Sequence, residues 1–184
     1  IERVEWLSHM PSSGWQGVVI ANEVLDAMPV QRFRKSADQW QMQWVSYTDD
    51  DYQATWLAAT DDLLLKQLDA LEARLGQFED GYESEVNRHV DGWISALSQM
   101  IEQGAVVLVD YGYPEAAFYH PERSAGTLIC HYLHKAYNDP LQRVGSQDIT
   151  ANVDFSAVAE AGVNHGFDLA GFTTQSFFLM NNGI

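Results

Sequence analysis

Gly17-Val18-Val19-Ile20-Ala21-Asn22-Glu23 and Ala105-Val106-Val107-Leu108-Val109-Asp110-Tyr111-Gly112 are apolar runs that end abruptly in acid and amide residues. Unalternated aliphatic runs of this length read as parallel strands buried on both faces, which predicts an α/β fold. Ligands of open α/β sheets bind at the carboxyl ends of the strands, so Asn22, Glu23, Asp26 and Asp110 are the first candidates for chemistry.

Working outward, Val4-Glu5-Trp6-Leu7 has the composition of a short strand, and Asn22 is placed to cap a helical turn through Glu23–Ala27 that Pro29 stops. Phe33–Lys35, Trp40–Trp44 and Tyr52–Trp56 alternate apolar with polar residues around Asp49-Asp50-Asp51. That pattern predicts half-exposed antiparallel strands, an elaboration at about residues 30–84 within one domain spanning 1–184. Thr60, Asp61 and Asp62 open a helix whose stripe is Leu64, Leu68, Leu71 and Leu75 and whose stop is Gly76. A second helix is expected from about Ser84, with Val86, Val90, Ile94, Leu97 and Ile101 on one face, ending at Gly104 and feeding the second apolar run. Beyond Gly112, residues 126–132 read as extended, 113–124 and 138–147 as loops, and 154–161 as a helix. A strand over 167–172 and an apolar tail at 177–180 follow.

Twenty-six acids against ten bases give a formal charge of −16, which excludes a nucleic-acid backbone as partner and favours a small molecule or a cationic protein segment. No apolar stretch approaches the ~20 residues needed to span a bilayer. Cys130 is the sole cysteine, which rules out an internal disulfide, points to a reducing compartment and, in its apolar setting, reads as buried and structural. His131 and His134 lie near His120 and Asp139, but residues three apart on an extended segment face opposite ways, so no metal site is predicted. Neither Gly-x-Ser-x-Gly nor Gly-x-Gly-x-x-Gly nor a phosphate loop occurs, so the sequence shows no serine elbow and no nucleotide cradle. The chain starts at Ile1 without an initiator Met, and a longer parent protein is expected.

On a helical turn, Glu23 and Asp26 at i and i+3 would share a face and offer two carboxylates to a guanidinium; the same residues also suit plain helix capping. Asp110-Tyr111-Gly112 stands at the neighbouring strand end, as a second site cluster or as a turn with a solvated acid. Trp40, Trp44, Tyr52 and Trp56 are more large aromatics than one hairpin needs, which fits partner recognition or packing on the sheet.

Ala21-Asn22-Glu23-Val24-Leu25-Asp26-Ala27-Met28-Pro29-Val30, Gly81-Tyr82-Glu83-Ser84-Glu85 and Val109-Asp110-Tyr111-Gly112 form one ordered set with Gly126-Thr127-Leu128, His134-Lys135, Asp148–Phe155 and Thr174-Gln175. Together they resemble the MidA-type class I S-adenosylmethionine-dependent methyltransferases, a family with members in arginine methylation and mitochondrial complex I assembly. The resemblance implies the C-terminal portion of a Rossmann-like methyltransferase sheet, strands 3 onward, with an antiparallel β insertion and helices. Val4–Leu7 would be the third strand, Gly17–Asn22 the fourth and Ala105–Asp110 the fifth, with the cofactor's Gly-rich turn before Ile1. Asn152 stands where relatives are expected to carry His or Asp, and it receives no role.

The function so implied is S-adenosylmethionine-dependent methyl transfer, on an arginine of a protein substrate, by a parent enzyme of which this chain alone is expected to be inactive. Glu23 and Asp26 are the expected catalytic residues, Asn22 the cofactor-binding one, and Asp110, Tyr111 and His134 the substrate-binding ones. A small-molecule methyltransferase and a non-catalytic assembly module of the same fold are the alternatives. The implied partners include neither nucleic acid nor membrane, and a homodimer is left open. The implied compartment is the cytoplasm in a bacterium and the mitochondrial matrix in a eukaryote.

Overall fold

The computed structural model describes residues 3–184. Its first half runs β1 (Trp15–Asn22), β2 (Gln31–Ser36), β3 (Gln39–Thr48), β4 (Asp51–Ala58), α1 (Asp62–Leu75), β5 (Glu83–Val86) and α2 (Val90–Met100). Its second half runs β6 (Ile101–Val109), β7 (Gly112–Tyr113), α3 (Glu115–Phe118), β8 (Ile129–Tyr132), β9 (Lys135–Tyr137), β10 (Asp148–Thr150), β11 (Val153–Asp154), α4 (Phe155–Asn164) and α5 (Gln175–Asn181).

The two apolar runs pair in parallel, in register from Gly17↔Gly104 to Asn22↔Val109. Gly104 belongs to this strand rather than to a helix end, because a Cβ there would collide with the carbonyl of Gly17. α2 and α4 cover one face of the pair, where Leu25, Ile94, Leu97, Met100, Val153 and Val158 form a buried cluster. The expected burial on both faces holds on that side only: Val18 and Ile20 are 58% and 72% exposed, since no element among the described residues packs over them.

Residues 31–86 supply a separate antiparallel sheet in the order β4-β3-β2-β5. Helix α1 starts one residue later than Thr60 would place it, because Asp61 is the N-cap and accepts from the N–H groups of Leu63 and Leu64, both at 3.0 Å. Its Leu64, Leu68 and Leu71 pack with Phe33, Trp40, Met42, Phe78, Tyr82 and Tyr119. Phe33 is fully buried and meets Trp40 edge to face at 5.6 Å, a favoured aromatic geometry.

Two expected strands are absent and one expected helix starts later, at Val90. Ser84–Val86 is not the start of a helix but part of β5, paired with β2 from Gln31↔Val86 to Arg34↔Glu83 and fastened by the Arg32–Glu83 ion pair at 3.0 Å. Val4–Leu7 is irregular and exposed, with no strand beside it among the described residues. Phe167–Phe172 is likewise unpaired, and the apolar tail is helical, as α5 capped by Thr174. Cys130 is fully buried in β8, as its sequence context predicts. No helix among the described residues is long and apolar enough to cross a membrane.

Candidate active site at the carboxyl ends of β1 and β6

Because β1 and β6 run in register, their carboxyl ends deliver Asn22 and Asp110 side by side. The ladder continues one residue further, with Glu23 N–H donating to the Val109 carbonyl at 2.9 Å. The chain then turns sharply: Glu23 takes a left-handed φ of 50°, and Met28 N–H donates to the Leu25 carbonyl at 3.2 Å. Residues 23–28 are thus a turn and not the expected helical one, so Glu23 and Asp26 do not share a helix face. Glu23 and Asn22 are exposed, while Asp26 is buried.

Asp110 shapes this turn. Its Oδ2 accepts from the N–H groups of Leu25 and Asp26, at 3.0 and 3.3 Å, and its Oδ1 accepts from its neighbour Tyr111 N–H at 2.9 Å. These bonds take the place of the helix cap expected of Asn22. Burial, together with the nearby Asp26 charge, raises the Asp110 carboxyl above the ordinary range, and the same backbone donors hold it back.

Asp26 is the focus of the cluster. The Tyr111 hydroxyl donates to Asp26 Oδ2, and Ala151 N–H donates to the Asp26 carbonyl at 3.0 Å. Asp26 Oδ1 is buried and has no hydrogen-bond partner among the described residues, an expensive condition that a donor arriving from a ligand would relieve. Burial, and then the hydrogen bond to Asp26, push the Tyr111 hydroxyl up to about 12, so it remains a proton donor at neutral pH. The cluster therefore offers an acceptor oxygen aligned by a neutral phenol, with exposed Asn22 and Glu23 at its rim.

The structure thus brings together Asn22, Glu23, Asp26, Asp110 and Tyr111. His134 stands apart, with Leu133 in the left-handed two-residue turn between β8 and β9. It is exposed, and no hydrogen bond joins it to Asp26, Asp110 or Tyr111.

Supports without an assigned role complete the site. Glu85 is 1% exposed and accepts from Thr127 N–H at 2.5 Å and from the Thr127 hydroxyl, whose oxygen accepts Asn152 N–H at 2.9 Å. Glycine is required at 126 twice over, since its φ is 78° and a Cβ would strike Glu85 Oε2. Burial raises the Glu85 carboxyl. Through Thr127 and Asn152, Glu85 fixes the segment whose Ala151 holds Asp26, and Asn87 Nδ2 reaches the Leu25 carbonyl at 3.5 Å. The signal for Glu85, Thr127, Ala151 and Asn152 was their place in Gly81–Glu85, Gly126–Leu128 and Asp148–Phe155, motifs quoted above without a role, whereas Asn87 lies in none of them.

Residues 1–173 match the model of a family described as "Putative S-adenosyl-L-methionine-dependent methyltransferase". The mitochondrial protein arginine methyltransferase NDUFAF7 of Rattus norvegicus is 31% identical over 167 residues, covering 90% of this chain and 35% of that protein. Its Caenorhabditis elegans homolog is 27% identical over 172 residues, covering 91% of this chain and 37% of that one. A Burkholderia thailandensis protein crystallised with S-adenosyl-homocysteine is 39% identical and superposes with a TM-score of 0.90 over 99% of this chain and 46% of its own. The chain spans about a third of the length of these curated relatives and under half of that structure. Its sequence and its mixed α/β fold make it a member of this S-adenosyl-L-methionine-dependent methyltransferase family.

Proposed function

We propose that this chain is the acceptor-side portion of a protein-arginine N-methyltransferase, with β1 and β6 as neighbouring central strands of a Rossmann-like sheet. The single observation that carries this reading is the orphaned, buried Oδ1 of Asp26 at the carboxyl end of a parallel pair. S-adenosylmethionine, when bound, supplies an electrophilic methyl group on a sulfonium. Asn22, exposed where β1 ends, and the anionic rim formed with Glu23 fit the edge of such a cationic cofactor. The Gly-rich turn that would hold the rest of it does not occur in these 184 residues and is expected in the parent protein's remaining length. That same portion would cover Val18 and Ile20 and pair the free edge of β1.

A guanidinium nitrogen is a weak nucleophile while its lone pair is delocalised, so the site must orient the group and stabilise its charge. Asp26 Oδ1 accepts one guanidinium N–H, and Glu23 closes from the solvent side. Tyr111 keeps the Asp26 carboxylate from rotating. Asp110 shapes the acceptor pocket by holding the turn, and His134 is placed further out, on the approach of the protein substrate. The arginine acceptor is supported by the relatives' names and by the buried, unpartnered carboxylate oxygen of Asp26. The compartment those names give is mitochondrial, which extends to this chain only if its source is eukaryotic.

The test is turnover by the full-length protein on an arginine-peptide library, read as methylarginine by mass spectrometry. Glu23→Gln should abolish transfer while leaving thermal melting nearly unchanged. Unchanged turnover in the variant would remove Glu23 from the site. Methylation confined to other atoms would favour the small-molecule or non-arginine reading.

A further inference from the structure

The antiparallel sheet ends in an arm that its own core does not need. Trp40 and Met42 are buried under α1, but farther out on β3 Trp44, Val45 and Tyr47 are 52%, 54% and 59% exposed, and Tyr52 on β4 is 41% exposed. Asp49 and Asp50 form its tip, both with left-handed φ, which makes a tight turn and keeps the two strands together. β3 and β4 pair without a register break from Gln41↔Ala58 to Thr48↔Asp51.

β4 is the outermost strand of its sheet, so the eight residues Asp51–Ala58 present one free row of backbone donors and acceptors. Natural edges of this length are normally blunted by Lys, Pro, a bulge or a covering element. Among the described residues this one has none of these: β4 contains neither Lys nor Pro, its register is unbroken, and seven of its eight residues are exposed. Charge says what the edge accepts. No Lys or Arg occurs between Lys35 and Lys66, whereas Asp38, Asp49, Asp50, Asp51, Asp61 and Asp62 lie in that interval, in a chain of formal charge −16. Trp56 on β4 already carries the Arg34 guanidinium 4.8 Å from its ring centre, while the neighbouring Tyr47–Tyr52 pair, 4.7 Å apart, faces solvent without a cation.

We propose that the free edge of β4 is a docking surface for an extended, basic segment of a partner protein, which joins the sheet as a fifth strand. Backbone hydrogen bonds to β4 supply affinity, and Asp49–Asp51 with the tyrosine pair select arginine-bearing segments. A second copy of this chain is disfavoured because both partners would carry −16. The inference is independent of any role assigned to Asp26.

Two eight-residue peptides of alternating β-forming sequence serve as probes, one Arg-Val repeated and one Glu-Val repeated, each added to the whole protein at low salt. Hydrogen exchange resolved to single amides should show β4 slowed by the Arg-Val peptide and not by the Glu-Val peptide. The triple variant Asp49→Asn, Asp50→Asn, Asp51→Asn keeps a turn that tolerates left-handed φ and should bind the Arg-Val peptide at least fivefold more weakly, with an unchanged melting temperature. Equal binding of both peptides, protection elsewhere than β4, or no binding overturns the proposal. So does β4 protected by self-association before any peptide is added.

Discussion

Two of the four sheets among the described residues solve different problems. The antiparallel sheet β2–β5 closes its own core: Phe33, Trp40, Leu64, Leu68 and Phe78 bury one another, and α1 is capped and fastened to it by the Lys35–Glu72 pair at 2.9 Å. The parallel pair β1–β6 has helices on one face and exposed Val18 and Ile20 on the other. Its order is concentrated at one end, where Asp110 binds three backbone N–H groups and Tyr111 holds Asp26. The first sheet is closed by its own core, and the second has an open face and a strand end fixed by several hydrogen bonds, which is where the proposed site lies.

The largest expected effect concerns completeness. The 184-residue chain alone should not bind S-adenosyl-homocysteine at micromolar affinity, about −8 kcal/mol, by calorimetric titration, because it has no Gly-rich cradle. Micromolar binding would mean that the parallel pair is not an open platform. Next, Phe33→Ala should cost about 3–5 kcal/mol in denaturant unfolding, whereas Val18→Ala in this chain should stay within about 0.5 kcal/mol. Equal costs would erase the contrast between the sheets.

Tyr111→Phe removes the donor to Asp26 and should destabilise the fold by about 1–3 kcal/mol, a loss that Phe at an idle surface position would not produce. A further effect is a pH slope. Burial lifts the Asp154 carboxyl to about 6 from an ordinary 3.8, although it caps α4 by accepting from Ser156 N–H at 3.0 Å. The folded state therefore binds its proton more tightly than the unfolded state. Its stabilising contribution is complete below pH 3.8 and declines as pH rises to about 6, beyond which it is flat. Asp154→Asn should remove that decline from melting curves while keeping the cap.

The parallel strands and α1 were legible because their signals are local: unbroken apolar runs, and leucines at 64, 68, 71 and 75. Ser84–Val86 misread as helix because Val86 and Val90 keep helical spacing across a strand end and a helix start, and only pairing with β2, some fifty residues earlier, distinguishes the two. Residues 23–28 misread for a related reason. Asn22 looks like a cap, yet the cap is supplied by Asp110 from across the fold. The two strand ends were legible as neighbours, which the parallel pairing of Asn22 with Val109 bears out, whereas His134 lies apart in the turn between β8 and β9. The burial of Asp26 against Tyr111, 85 residues away, and the Glu85–Thr127 support, 42 residues apart, are properties of the assembled fold.

The central claim is that Asp26, oriented by Tyr111, receives the acceptor guanidinium. Its most direct test is methylarginine formation by the full-length protein and its Asp26→Asn variant, with thermal melting of both. Loss of one such positioned charge should lower kcat/KM by about 10²–10³, with melting little changed because Asn can still accept the Tyr111 hydroxyl. An Asp26→Asn enzyme that methylates arginine at the parent rate would contradict the account.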